Sequence, residues 1–402
     1  MEDSDAAGGG RSDELPNSPI KMHILYIYPE FTIKGGADKV IIEKANYFVR
    51  HGYEVTMVTE AQLGRPLSFP LDAAVTHIDM GLDFDQQYRQ GLVRRAFTYF
   101  SLIHQYKHRL GKVLQQQRPD IVLSGIGRSI DLITQMKDGS VKLGVAHTVK
   151  ANIRSFYLME QKGGFYWLGA RFMKKKTYGN VARLDGLVLL TKEDADSWTE
   201  ARRTFVIPNA VPFSVDESST LANKQAIMVA RYNDAKGFDY MVDAWAMVHR
   251  RHPDWVLNVY GSGELHDQVT AWVQEKNLEQ TFILHDPTDH IKEKYLENSL
   301  CVMSSRYEGF PMALLEAMAC GVPCVAFDCP HGPRNIIRHG EDGLLVEYLN
   351  AEALADSICQ LIENEEQRRQ MGANAQRNVR RFSKDAIMKQ WEELFLRFAS
   401  QR

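Results

Sequence analysis

The sequence predicts an α/β protein built from two doubly wound, Rossmann-like domains that face each other across a cleft. Three observations carry this. Short apolar runs alternate with helical patterns, the signature of parallel α/β units. The alternation runs once, breaks at the two-proline stretch FVIPNAVPF (205–213), and starts again. The 402 residues suit two or three domains of about 100–200 residues each. In the first half, MHILYIY (22–28) reads as a strand, followed by a Gly35-Gly36 loop and a helix to about Arg50. Further strands are expected at EVTMVT (54–59), VTHI (75–78), DIVLS (120–124), KLGVAH (142–147) and DGLVLL (185–190). The second half gives QAIMVA (225–230), WVLNVYG (255–261), TFILH (281–285), LCVMS (300–304), PCVAF (323–327) and GLLV (343–346), then three closing helices from Ala351 to about Phe398. The expected division is 22–206, 207–382 and a final segment at 383–402. Residues 1–21, acidic and poor in apolar side chains, read as a disordered tail or cloning remnant.

Composition narrows the function classes. Hydrophobic content of 44% and charged content of 25% are those of a globular domain. No run approaches the roughly 18 apolar residues of a membrane span, and no secretory leader pattern is visible, so the expected compartment is the cytoplasm. All five cysteines (Cys301, Cys320, Cys324, Cys329 and Cys359) fall in the second half. Their spacing lacks the paired Cys-x-x-Cys pattern of a zinc site, so buried thiols are expected. The net charge of −3 hides an asymmetry: residues 22–206 sum to +8 and residues 207–402 to −8. The basic half is the one to meet an anionic surface. Nucleic acid is not expected, since no binding module is visible.

The richest stretch is RYEGFPMALLEAMACGVP (306–323). Glu308 lies in a loop, Gly309 and Pro311 mark a tight turn, and Pro311 is placed at the first helical position, where its missing N–H costs nothing. The free N–H groups of the first turn, aided by the helix dipole, form an anion site. Glu316 follows about 7.5 Å along the axis, at roughly 1.5 Å per residue. Its neighbours Leu314, Leu315, Ala317 and Met318 are apolar, so its carboxylate needs hydrogen bonds if buried. Ribose hydroxyls would supply them. A sugar at Glu308, phosphates at the helix start and a ribose at Glu316 is the layout of a nucleotide sugar. The alternative is a surface helix with Glu316 in water.

Other residues extend this layout. Arg231 and Lys236 follow the first strand of the second half, where two cations can clamp a diphosphate and stabilise its departure. Gly35 and Gly36 allow close approach of a phosphate to a helix start, or make an ordinary turn. Gly261 and Gly263 in YGSGE mark a strand-to-helix turn whose backbone can face the cleft. His147 ends the KLGVAH strand, on the edge where ligands of doubly wound sheets bind. DFD (83–85) sits in a polar loop and is read as no metal site; DAD (194–196) reads as a helix-start acidic cluster. Residues 88–118 hold seven Lys or Arg, and residues 162–183 hold six, with no acidic residue in either and with aromatics interleaved, Phe165 among them. Such segments can lie on an anionic membrane, cradle a diphosphate-linked acceptor, or be a solvated face.

Together these motifs resemble a family 4 glycosyltransferase of the two-domain GT-B architecture, over nearly everything from Met22 onward. The most specific part is the E-x7-E element, Glu308 to Glu316, joined by Arg231 and Lys236, the Gly35-Gly36 loop, IPNAV (207–211) and HGPRNIIRHGEDGLLV (331–346). Similar HGPR and DGLLV segments are frequent in bacterial enzymes that assemble surface polysaccharides. The resemblance implies that Arg231, Lys236, Gly35 and Gly36 bind the donor diphosphate and that Glu316 holds the ribose. It places Glu308 and the backbone from Gly309 through Phe310 and Pro311 to Met312 beside the donor sugar. It gives His147 a place near that sugar and, with Glu308, in the catalytic centre. It further implies transfer from a nucleotide sugar, taken as a UDP-sugar, with retention at the anomeric carbon and no metal or other cofactor. The implied acceptor is a glycan or a polyprenyl-diphosphate-linked sugar. The other readings are a nucleotide-sugar epimerase of the same fold and a non-catalytic nucleotide-sugar-binding protein.

Overall fold

A computed structural model describes residues 22–32 and 35–401. The tail expected at 1–21 lies outside the described residues. Seven parallel strands make the first sheet: β1 (His23–Tyr28), β2 (Glu54–Thr59), β3 (Thr76–Asp79), β4 (Ile121–Gly125), β5 (Val141–Val145), β6 (Gly186–Leu189) and β7 (Thr204–Val206), in the order β3-β2-β1-β4-β5-β6-β7. Six make the second: β8 (Gln225–Val229), β9 (Val256–Tyr260), β10 (Phe282–His285), β11 (Leu300–Met303), β12 (Cys324–Phe327) and β13 (Gly343–Val346), in the order β10-β9-β8-β11-β12-β13. The strands are short; the central ones are almost wholly buried, as sheets covered on both faces require, while β3 and β7 at the two edges of the first sheet are largely exposed.

Both sheets reverse their order beside their first strand, at β1/β4 and at β8/β11. The loops that leave these strands are therefore the ones at the crevice where ligands of open α/β sheets bind. They carry Gly35-Gly36, Arg231 to Lys236, and the segment around Glu308.

The closing helices are Ala351–Glu363, Glu365–Val379 and Lys384–Ala399. The last packs on first-sheet elements. Phe395 meets Phe48 with ring centroids 5.2 Å apart, Phe398 meets Phe205 at 5.8 Å, and the Lys44 ammonium sits 3.6 Å over the Trp391 ring. Its anchor is an apolar stripe of Ile387, Met388, Trp391, Leu394, Phe395 and Phe398, recurring at helical spacing. Trp391 and Phe395 are 2% exposed or less, so the contact rests on packing rather than on surface charge. All five cysteines are buried and unbridged. No helix among the described residues is long and apolar enough to cross a membrane.

Candidate functional site

The loop after β8 turns through a single 3-10 turn, Asp234–Lys236, and then Gly237 at φ +61°. A Cβ on Gly237 would stand 2.1 Å from the Ser304 carbonyl oxygen, so only glycine lets this loop lie on the end of β11. The two loops are then tied together. Arg306 N–H donates to the Ala235 carbonyl (2.8 Å), Ser304 Oγ donates to the Lys236 carbonyl (3.0 Å), and the Arg306 guanidinium meets the Asp239 carboxylate at 2.6 Å. This brings the Lys236 ammonium to 2.6 Å from Glu308 Oε1, which also accepts from Ser305 Oγ at 2.7 Å. The Glu308 side chain is 11% exposed, so its charge is held by a matching cation and a hydroxyl. Arg231 is exposed and makes no ion pair among the described residues.

Pro311 caps the Met312–Ala319 helix rather than opening it, with ψ 109°, so the helix begins one residue later than the sequence suggests. In the neighbouring loop, a Cβ on Gly332 would fall 2.5 Å from Glu308 Cβ and 2.9 Å from Pro311 Cδ. Gly332 thus packs against both, and Glu308 pairs with His331 in a parallel bridge. His331 adopts φ +73°, an uncommon conformation for a non-glycine residue, and its buried Nδ1 has no partner among the described residues.

Across the crevice, Gly35 is the N-cap and Gly36 the first residue of the Gly36–Arg50 helix. A Cβ on Gly36 would lie 3.1 Å from Met312 Cγ. The N-termini of one helix from each domain therefore converge, and each presents free N–H groups and the positive end of a helix dipole. Gly309 also touches the first domain, with room for a Cβ only 3.2 Å from the His147 carbonyl.

Glu316 does not face open water. It is half-buried and accepts from the Tyr295 hydroxyl at 3.1 Å. Burial pushes its carboxyl up to about 7, with the opposing pull of the Lys39 charge and the Tyr295 hydrogen bond and a further push from Glu43. Lys39 and Glu43 belong to the Gly36–Arg50 helix, so that helix lies over the Glu316 end of the site. Eight positions apart, Glu308 and Glu316 thus sit in different surroundings, one beside a cation and one beside a neutral phenol.

His147 lies at the same domain boundary. Its ring lines a small cavity with Glu43, Lys44, Asn209 and Trp391, and its Nδ1 is buried without a partner among the described residues. Burial first, and the Lys44 charge second, push it down to about 3, so the imidazole is neutral near pH 7. Burial lowers Lys44 to about 7.

Other sequence readings gain detail, and DAD does stand at a helix start, Lys192–Ser197. Asp83 Oδ1 accepts the N–H of Asp85 (2.9 Å) and of Gln86 (3.3 Å), which makes DFD a local turn. Asp194 is buried and accepts the Lys150 N–H at 3.0 Å. Cβ atoms on Gly261 and Gly263 would strike the Ala230 and Tyr232 backbones, so these glycines support the Arg231 loop from behind. Sequence reasoning gave no role to Tyr295, Ser305 or His331. The glycine and proline of HGPR were the one available signal for the last; nothing local marks Tyr295 as the partner of Glu316.

Residues 215–378 match the family model described as glycosyl transferases group 1, so the chain carries a group 1 glycosyltransferase domain. The amylovoran biosynthesis glycosyltransferase AmsD of Erwinia amylovora is 27% identical over 383 residues, covering 92% of this chain and 99% of AmsD. An exopolysaccharide phosphotransferase of Streptomyces coelicolor is 39% identical over 226 residues, which are 54% of this chain but only 24% of that protein. Among solved structures, an S. aureus TarM mutant in complex with fondaparinux, α-GlcNAc-glycerol and UDP superposes with a TM-score of 0.75 at 17% identity, covering 93% of this chain and 99% of that one. The architecture is that of GT-B glycosyltransferases.

Proposed function

We propose that this glycosyltransferase moves a hexose or N-acetylhexosamine from a UDP-sugar to a lipid-linked or surface glycan during polysaccharide assembly, with retention at the anomeric carbon. The observation that carries the reading is the convergence of two helix N-termini, Gly36 and Met312, beside the Lys236–Glu308 pair. That is a binding place for a diphosphate with a sugar attached. Arg231 and Lys236 take the diphosphate charge, and Glu316 takes the ribose hydroxyls in place of solvent. The family of surface-glycan relatives supports the acceptor class, and the TarM complex with UDP supports the nucleotide.

In the reaction the bond from the anomeric carbon to the diphosphate oxygen breaks and the electron pair leaves with the nucleotide. Lys236, Arg231 and the two helix ends stabilise that developing charge. The acceptor hydroxyl attacks the same face and its proton passes to the departing phosphate oxygen, so no carboxylate has to act as a base. Glu308, held by Lys236 and Ser305, orients the sugar. The neutral His147 stands at the domain boundary beside Gly309. The donor is a co-substrate, and these residues supply the binding charge without a metal.

The test is a screen of nucleotide sugars for thermal stabilisation, then transfer to a polyprenyl-diphosphate-linked acceptor with the product anomer read by NMR. An elongated glycan of unchanged anomeric configuration is expected. A free epimer would replace this reading with the epimerase, and donor binding without turnover on any acceptor would replace it with a binding protein.

A further inference from the structure

Two helices of the first domain carry apolar stripes on the wrong side. In the helix Leu92–Gln117, the buried residues Leu102, Tyr106, Leu110 and Val113 cover the first sheet. Val93, Phe97 and Phe100 recur at i, i+4 and i+7, which would normally be a core-facing stripe. They are instead 75%, 75% and 68% exposed. At about 100° per residue, Val93 and Leu102 point in opposite directions. The helix Gly164–Val181 repeats the pattern, with Leu168 and Phe172 exposed at 60% and 71% beside Tyr166 and Trp167.

Both helices pack into one apolar cluster on the same face of the first sheet. Helices joining parallel strands run antiparallel to them, so both begin at the carboxyl edge, which is the cleft side. The longer one spans 26 residues, about 39 Å, roughly twice a six-residue strand.

The surroundings are basic. The 162–183 and 88–118 segments contain no acidic residue. Lys162 lies 5.6 Å from the Tyr166 ring centroid and Arg171 4.8 Å from that of Trp167. Not every cation is available: Lys174 pairs with Glu160 (3.2 Å) and Lys176 with Asp131 (3.7 Å). Arg94 and Lys175 make no ion pair among the described residues. The side chains of Arg89 and Phe165 lie outside the described residues.

We propose that these two exposed faces dock the protein on an anionic lipid bilayer, with Val93, Phe97, Phe100, Leu168 and Phe172 entering the interface and Arg94, Lys162, Arg171 and Lys175 at the level of the lipid phosphates. An apolar face rimmed by cations of one sign fits an anionic surface. It fits a second copy of itself poorly, because a two-fold contact would oppose like charges. An open groove on this surface is lined by Tyr157, Trp167, Arg171 and Lys175 together with the acidic Glu160 and Glu200. Docking stands on the exposed faces alone; its use in presenting a lipid-linked acceptor rests on the proposed function.

The test is co-sedimentation of the full chain with vesicles of phosphatidylcholine alone and of equal parts phosphatidylcholine and phosphatidylglycerol. Binding to the mixed vesicles only is expected. Phe97→Ser with Phe100→Ser, or Phe172→Ser, should lower the partition constant roughly tenfold per phenylalanine. Arg94→Glu with Lys175→Glu should abolish the preference for anionic lipid. Unchanged melting temperatures show that the variants are folded, as these side chains are exposed. Absence of binding to mixed vesicles, or binding equal in parent and variants, would overturn the proposal. So would light scattering that shows a dimer in the parent and a monomer in the phenylalanine variants. Activity on a soluble acceptor that persists while vesicle binding is lost separates this surface from the donor site.

Discussion

The two domains present contrasting surfaces. On the second domain, Lys236, Ser305 and Glu308 are locked to one another at 2.6 and 2.7 Å before any ligand arrives. On the first, Phe97, Phe100 and Phe172 stand 68–75% exposed with cations beside them. Under the proposed function and the proposed docking, the difference would suit two kinds of ligand. A nucleotide sugar is small and its charges have fixed positions, so fixed groups held in advance stabilise it best. A bilayer is broad and fluid, so apolar area and net charge matter more than the position of any one atom.

The largest expected effect breaks the preassembled side. Lys236→Ala removes a cation from the diphosphate and leaves Glu308 unpaired in a largely buried place; kcat/KM should fall about 100- to 1000-fold. Adding Glu308→Gln should cost much less than the product of the single effects, and steady-state kinetics on the four proteins measure that coupling. Fully multiplicative losses would show that the pair does not act as a unit.

The next effect sharpens the contrast within the E-x7-E element. Glu316 has a folded value of about 7 against an ordinary 4.5. Between those values the folded protein holds a proton that the unfolded chain has released. Its contribution to stability is therefore greatest at low pH and falls as pH rises through the window, by about 3 kcal/mol at most. Glu316→Gln should remove this fall, so the variant should melt above the parent at pH 8 and close to it at pH 5. Donor binding should release a proton near pH 7, seen as buffer-dependent enthalpy in calorimetry, and should weaken roughly tenfold in the variant. An unchanged melting difference across this range would remove the assigned burial.

The smallest effect comes from Arg231→Ala. This side chain is exposed, so screening limits its contribution, and donor affinity should weaken about five- to tenfold with a stronger dependence on salt in the parent. A loss as large as that of Lys236→Ala would erase the distinction between a preassembled and a free cation.

The site was legible in part, and the reasons are local. Arg231, Lys236, Glu308 and Glu316 stand at fixed offsets from strand ends, and in a parallel sheet those ends are the crevice. The helix begins one residue after Pro311, a shift within the ordinary spread of helix ends. Tyr295 and His331 were not visible as site residues, since neither follows a motif whose spacing brings it to a carboxylate.

The sequence by itself determined twelve of the thirteen strands, the break at the two-proline stretch, and the closing helices. Each follows from the period of its apolar residues and from the glycines and prolines that interrupt it. Tertiary structure alone decided that the starts of two helices from different domains meet at Gly36 and Met312, and that Glu316 lies against Tyr295. It also decided that Phe97 and Phe100, spaced like a core stripe, point outward. Periodicity states which residues share a face; only packing in three dimensions, through long-range burial, selects what that face meets.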